Sequence, residues 1–145
     1  ETEVLRSMIE AGLPVNLTDG KGNTLLMLAA YYGHEETARM LIEHGADPDR
    51  RNDRGQTPLG GVAFKGLVPM ARLLVEAGAD PNADQGGGRT PLMFAAMFGR
   101  REMVECLTEL GADAERQTIA GLSALSVARM TGALRTLGGL FRRRR

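Results

Sequence analysis

Few side chains in this 145-residue sequence are equipped for covalent or metal chemistry, and their spacing does not assemble a catalytic set. The one cysteine, Cys106, falls where a short amphipathic run calls for a buried aliphatic residue. It therefore reads as a packed thiol rather than a nucleophile, and it leaves disulfides out. His34 and His44 stand at opposite ends of one short helical run, whereas a metal ion needs several convergent ligands. Neither a Ser/His/Asp set nor a pair of apposed carboxylates is evident. Gly86-Gly87-Gly88 lacks the Lys-Ser/Thr that follows a phosphate-cradling loop. No enzyme activity, cofactor or metal is expected.

Recognition chemistry remains. Only six residues are aromatic, yet four of them fall in two adjacent columns of spacing 33: Tyr31, Phe64 and Met97, then Tyr32, Lys65 and Phe98. Arg51, Arg54 and Arg89 flank these columns. Large, rigid side chains desolvate well and guanidinium forks meet carboxylates or carbonyls, so this mixture suits a protein-binding hot spot. The plainer reading is that some of these rings pack between neighbouring units and close the ends of helices.

The interval of 33 belongs to the whole chain. Thr24, Thr57, Thr90 and Ser123 are in phase, as are Leu26, Leu59, Leu92 and Leu125, and Gly33, Gly66, Gly99 and Gly132. A period of this size marks a solenoid. Within a unit, Thr57-Pro58-Leu59 predicts a helix start in which the hydroxyl caps free N–H groups and proline takes the first turn. The short helix ends at Gly66, suited to a left-handed C-cap. A second run then places Met70, Leu73 and Leu74 on one face and Arg72 and Glu76 on the other, stopping at Gly78. The polar stretch that follows, to Gly88, reads as a projecting hairpin-like loop. Helices this short are unstable alone, so stacking must bury what one unit cannot. The pairs Ala29-Ala30, Val62-Ala63 and Ala95-Ala96 let first helices approach closely, with Leu41-Ile42, Leu73-Leu74 and Cys106-Leu107 behind them.

These motifs, G-x-T-P-L-x-x-A-A-x-x-G and a second helix ending in L-x-x-x-G-A-D, with Asp49 or Asn82 two residues on in the first two full repeats, resemble the ankyrin repeat. The resemblance implies an all-α solenoid of stacked helix-turn-helix units with projecting hairpin-like loops. It covers nearly the whole chain as one domain, 1–141: a partial repeat 1–17, full repeats 18–50, 51–83 and 84–116, and a C-terminal capping repeat 117–141 that frays, before a basic tail 142–145. The resemblance also implies a protein partner on the inner surface of loop tips and first helices. Tyr31, Tyr32, Arg51, Arg54, Phe64, Lys65, Arg89, Met97 and Phe98 are the candidate contacts. The family's histidine after T-P-L is replaced by Met27, Gly60, Met93 and Ser126, so its side-chain hydrogen bond is expected to be absent throughout. Gly60-Gly61 adds two poor helix formers inside one helix, each costing about 1 kcal/mol relative to Ala.

Composition sets the remaining expectations. With 43% hydrophobic but 4% aromatic residues, the chain suits a thin core of Leu, Ala, Val and Met, and it has no membrane span. Acidic and basic residues balance at eighteen each, which argues against a domain-wide positive field and hence against nucleic-acid binding. The run Arg142 to Arg145 alone could give weak, salt-sensitive attachment to RNA or anionic lipid. Arginine outnumbers lysine sixteen to two, a bias that suits a GC-rich bacterial genome. The chain starts at Glu1 in mid-repeat, which reads as a trimmed or processed product. That start leaves open a targeting arm of a larger protein, and a secreted or periplasmic location beside the expected cytoplasmic one. A monomer is expected.

Overall fold

The computed structural model describes residues 1–118 and 120–130. The expected second helix of the capping repeat, Gly132 and the arginine tail lie outside them, as does Ile119. Short helices follow one another as α1 (Thr2–Glu10), α2 (Leu25–Tyr31), α3 (Glu35–Glu43), α4 (Pro58–Lys65), α5 (Val68–Glu76), α6 (Pro91–Met97), α7 (Arg101–Glu109) and α8 (Ala124–Met130). The first helices α2, α4, α6 and α8 stack in one row, and α3, α5 and α7 each back the first helix of their own repeat. Helix α1 packs on α3 and α5 on α7. The architecture is the all-helical solenoid that the period requires.

Stacking depends on small residues in front and leucines behind. Ala30, Ala63 and Ala96 are fully buried between neighbouring first helices, as are Leu26, Leu59 and Leu92. Leu41, Leu74 and Leu107 fill the second-helix layer and are equally inaccessible. Burial of each such leucine contributes roughly 1.5–3 kcal/mol. First helices pack directly on one another along the row, so stability depends on interfaces between units as well as on packing within them.

Caps fix where the helices begin and end. Thr24 Oγ1 accepts the Met27 N–H at 3.0 Å, and Thr90 Oγ1 that of Met93 at 3.3 Å. Gly66 closes α4 in the left-handed region at φ 78°. Thr57 departs from the expectation, because its hydroxyl makes no cap bond. The reason lies in the next loop. Gln85, fully buried, reaches back so that its Oε1 accepts the Thr57 N–H at 2.8 Å while its Nε2 donates to Thr57 Oγ1 at 2.8 Å and to the Ala83 carbonyl at 3.0 Å.

Gly60 makes room for that side chain, since a Cβ there would overlap the Gln85 amide. The side-chain hydrogen bond expected to be missing from every unit is thus replaced at Gly60 by one from the following repeat. In the last unit Ser126 Oγ accepts the Ser123 N–H at 2.7 Å and performs a similar task. Only at Met27 and Met93 does an apolar, buried side chain hold that place.

The loops are single-rung hairpins. Asp19, Asn52, Gln85 and Thr118 each donate their N–H to the carbonyl four residues on. Asp19, Asn52 and Thr118 also accept two loop N–H groups through a side-chain oxygen. Gln85 is occupied elsewhere, so Asp84 takes over and accepts from Gly86 and Gly88 at 2.7 and 2.9 Å. This shifted turn bends through three residues of positive φ, which explains the glycine triplet without any ligand.

Candidate protein-binding face

The first helices end on one side of the stack, and the two aromatic columns lie there. Tyr31, Phe64 and Met97 keep 37 to 39% of their surface, while Tyr32 and Phe98 keep 64% and 47%. Among the described residues nine large apolar side chains are exposed, and six of them, these five and Met130, fall in the two columns. Exposure of this kind, concentrated on one face, is what a docking surface needs and what a folded monomer otherwise avoids.

The rings touch one another in a pattern that spacing alone does not give. Tyr31 and Tyr32 meet edge to face at 5.4 Å, and Lys65 of the next repeat sets its Nζ 4.3 Å from the Tyr31 centroid and 5.5 Å from that of Tyr32. Phe64 meets Phe98 diagonally across the columns, at 4.8 Å and 80°. Two clusters result, one of tyrosines clasped by a lysine and one of paired phenylalanines. Each ring is steadied by its neighbour, so less side-chain entropy is lost on binding.

Around them the backbone is arranged to keep the rings in place. Gly61 is the seat of Tyr31, whose Cδ2 would lie 3.1 Å from a Cβ at that position. Arg100, which sequence reasoning passed over, donates from Nε to the Phe64 carbonyl at 3.1 Å and so ties the end of α4 to the next repeat. Arg89 is exposed but held: its Nε donates to the Gly86 carbonyl at 3.0 Å, and its guanidinium stands 5.8 Å from the Phe94 ring. Arg51 and Arg54 are exposed on the preceding loop.

Between the tyrosines and the loop tips runs a groove of about 450 Å³. Met27, Leu28, Pro58 and Gly61 belong to its helical side, and Lys21, Asn23, Asp53, Arg54 and Gln56 to its loop side. The loops are aligned by the Asp53 N–H, which donates to the Lys21 carbonyl of the preceding loop at 3.0 Å. Gly61 and Arg100 carry no signature in the sequence as binding residues. Gly61 was legible only as an unexplained pair with Gly60.

The groups set aside as chemically inert have structural settings. Burial pushes the Cys106 thiol above its ordinary range, against a smaller opposing pull from Arg72. His44 bonds through Nδ1 to the Met40 carbonyl at 2.8 Å and lies 3.5 Å from Glu10 of α1. His34 is exposed at the start of α3.

The family model for ankyrin repeats, three copies, matches residues 1–85, 46–118 and 62–140. The chain belongs to the ankyrin repeat family. An ankyrin repeat protein of Pseudomonas aeruginosa is 52% identical over 33 residues, a match that spans 23% of the present chain and 19% of that protein. Ankyrin repeats are in general non-enzymatic protein-protein interaction modules. No helix among the described residues is long and apolar enough to cross a membrane.

Proposed function

We propose that this ankyrin domain is an adaptor or scaffold module that holds a protein partner on the face formed by its loop tips and first helices. One observation carries the reading: the exposed large apolar side chains concentrate in two columns on that face. Tyr31, Tyr32, Phe64, Met97 and Phe98 supply the apolar anchor. Arg51, Arg54, Lys65 and Arg89 supply a charged rim beside it. A few aromatic and arginine contacts dominate most protein interfaces, so the phenylalanine pair is the place to test.

A pull-down from cell lysate of the source species, at physiological salt, compares wild type with the Phe64→Ala/Phe98→Ala double variant, and the captured protein is then titrated against both. Loss of more than about 2 kcal/mol of binding is expected for a hot-spot pair. The thermal midpoint should barely move, because both rings are exposed. Equal loss of folding and binding, or capture indifferent to the substitutions, would remove the support for this face.

A further inference from the structure

The balanced net charge conceals a division by face. Loops and first helices (18–34, 51–66, 84–100 and 117–130) carry seven basic residues against three acidic, a net charge of +4. Second helices and their exits (1–17, 35–50, 67–83 and 101–116) carry six basic against fifteen acidic, a net charge of −9. Of the three acids on the basic side, two are engaged by backbone, and the third, Asp53, is exposed on the loop side of the groove. Asp19 and Asp84 turn carboxylate oxygens onto backbone N–H groups of their own loops. The basic groups include Lys65, set directly on the exposed tyrosines, and Arg89, which is exposed and stands over the half-buried Phe94 of the same face.

We infer that the segment recognised by this face is acidic, an extended stretch of a protein partner in which carboxylates alternate with apolar anchors. This rests on the proposed binding role of the face. The anchors meet Tyr31, Phe64 and Phe98, and the carboxylates meet Arg54, Lys65 and Arg89. Charge complementarity of this kind sets which partner is accepted and how fast it arrives. Guanidinium forks reward carboxylates in particular.

Two other occupants fit less well. A single-stranded nucleic acid needs open ring faces on which bases stack. Here Lys65 covers Tyr31, and Phe64 and Phe98 are turned edge to face. A second copy could offer its own acidic second-helix layer, but among the described residues the exposed large apolar side chains of that layer, Val4, Met8 and Leu17, all lie in its N-terminal segment and do not recur along the stack.

Selection of a random peptide display library on the wild-type chain at physiological salt tests the inference. Enriched peptides should be acidic with spaced apolar residues. They should weaken about tenfold or more on Arg54→Glu/Arg89→Glu, as far again on Phe64→Ala/Phe98→Ala, and not at all on Arg39→Glu of the opposite layer. Thermal melts confirm that each variant is folded.

Peptides without acidic excess that still require Phe64 and Phe98 would overturn the acidic class while leaving the binding role standing. No enrichment, or peptides indifferent to both double variants, would overturn both. Oligothymidylate bound more tightly than any peptide and released by the arginine reversal would overturn the inference in favour of nucleic acid. So would self-association in light scattering that the same reversal abolishes, in favour of a second copy.

Discussion

Gly60 and Gly61 are adjacent in α4, cost the helix alike, and serve opposite sides of it. Gly60 is buried under Gln85, whose amide closes three hydrogen bonds; Gly61 lies beneath the partly exposed ring of Tyr31. Alanine should therefore separate them. Gly60→Ala gains helix propensity but displaces a buried amide and leaves the Thr57 N–H without its partner. We expect a net loss of about 2 kcal/mol. Gly61→Ala needs only a shift of a surface ring. It should be neutral or stabilising by up to about 1 kcal/mol, while moving Tyr31 away from Lys65. Paired urea melts decide the matter: equal effects of the two substitutions would mean that Gln85 does not hold the loop. Two glycines in a helix are visible in a sequence. The reason for them is not, because Gln85 lies 25 residues along the chain and polar loop residues ordinarily face water.

Between elements, a column of short polar side chains links each repeat to the next. Asn16, Asp49 and Asn82 accept the N–H of Asp47, Asp80 and Asp113 at 2.9, 3.1 and 2.8 Å. This gives Asp49 and Asn82, each two residues after a G-A-D, and Asn16 at the exit of the partial repeat a mechanical role. Asp49 is the charged member, and its pKa is raised above the ordinary aspartate value of 3.8, chiefly by burial and further by the Asp80 and Asp47 carboxylates, against the Asp80 N–H bond. A carboxyl whose folded pKa is raised stabilises the fold while protonated, and that contribution is lost as pH rises through the folded value. At neutral pH the ionised Asp49 is therefore a small cost that Asn would remove while keeping the acceptor oxygen. Asp49→Asn should raise stability at pH 7 by a few tenths of a kcal/mol after solvent screening, about 1 °C in Tm. The difference should vanish as pH falls below the carboxylate range. A variant less stable than wild type at pH 7 would mean that the charged hydrogen bond outweighs burial. The helices themselves were legible from period, caps and glycine stops. The linking bonds were not, since one repeat read alone does not show what its exit touches.

At the scale of the molecule, the sequence read correctly as a stack because each unit's apolar residues recur in phase, but its zero net charge is a sum of unlike parts: +4 on loops and first helices, −9 on second helices and their exits, and +5 in residues 131–145. Phase also predicts how the stack fails. Leu92 is fully buried in α6, which packs against α4 on one side and α8 on the other. Leu92→Ala removes contacts at both boundaries, so it should cost about 2 to 5 kcal/mol. In a nearest-neighbour array the loss also weakens coupling between the halves of the stack. Hydrogen exchange should then show α8 losing protection before α2, and the urea transition should broaden relative to wild type. A sharp transition with uniform loss of protection would show instead that the domain folds as one unit, its interfaces too strong for a single cavity to divide. An unchanged melt would place Leu92 outside the core and break the 33-residue register on which the stack depends.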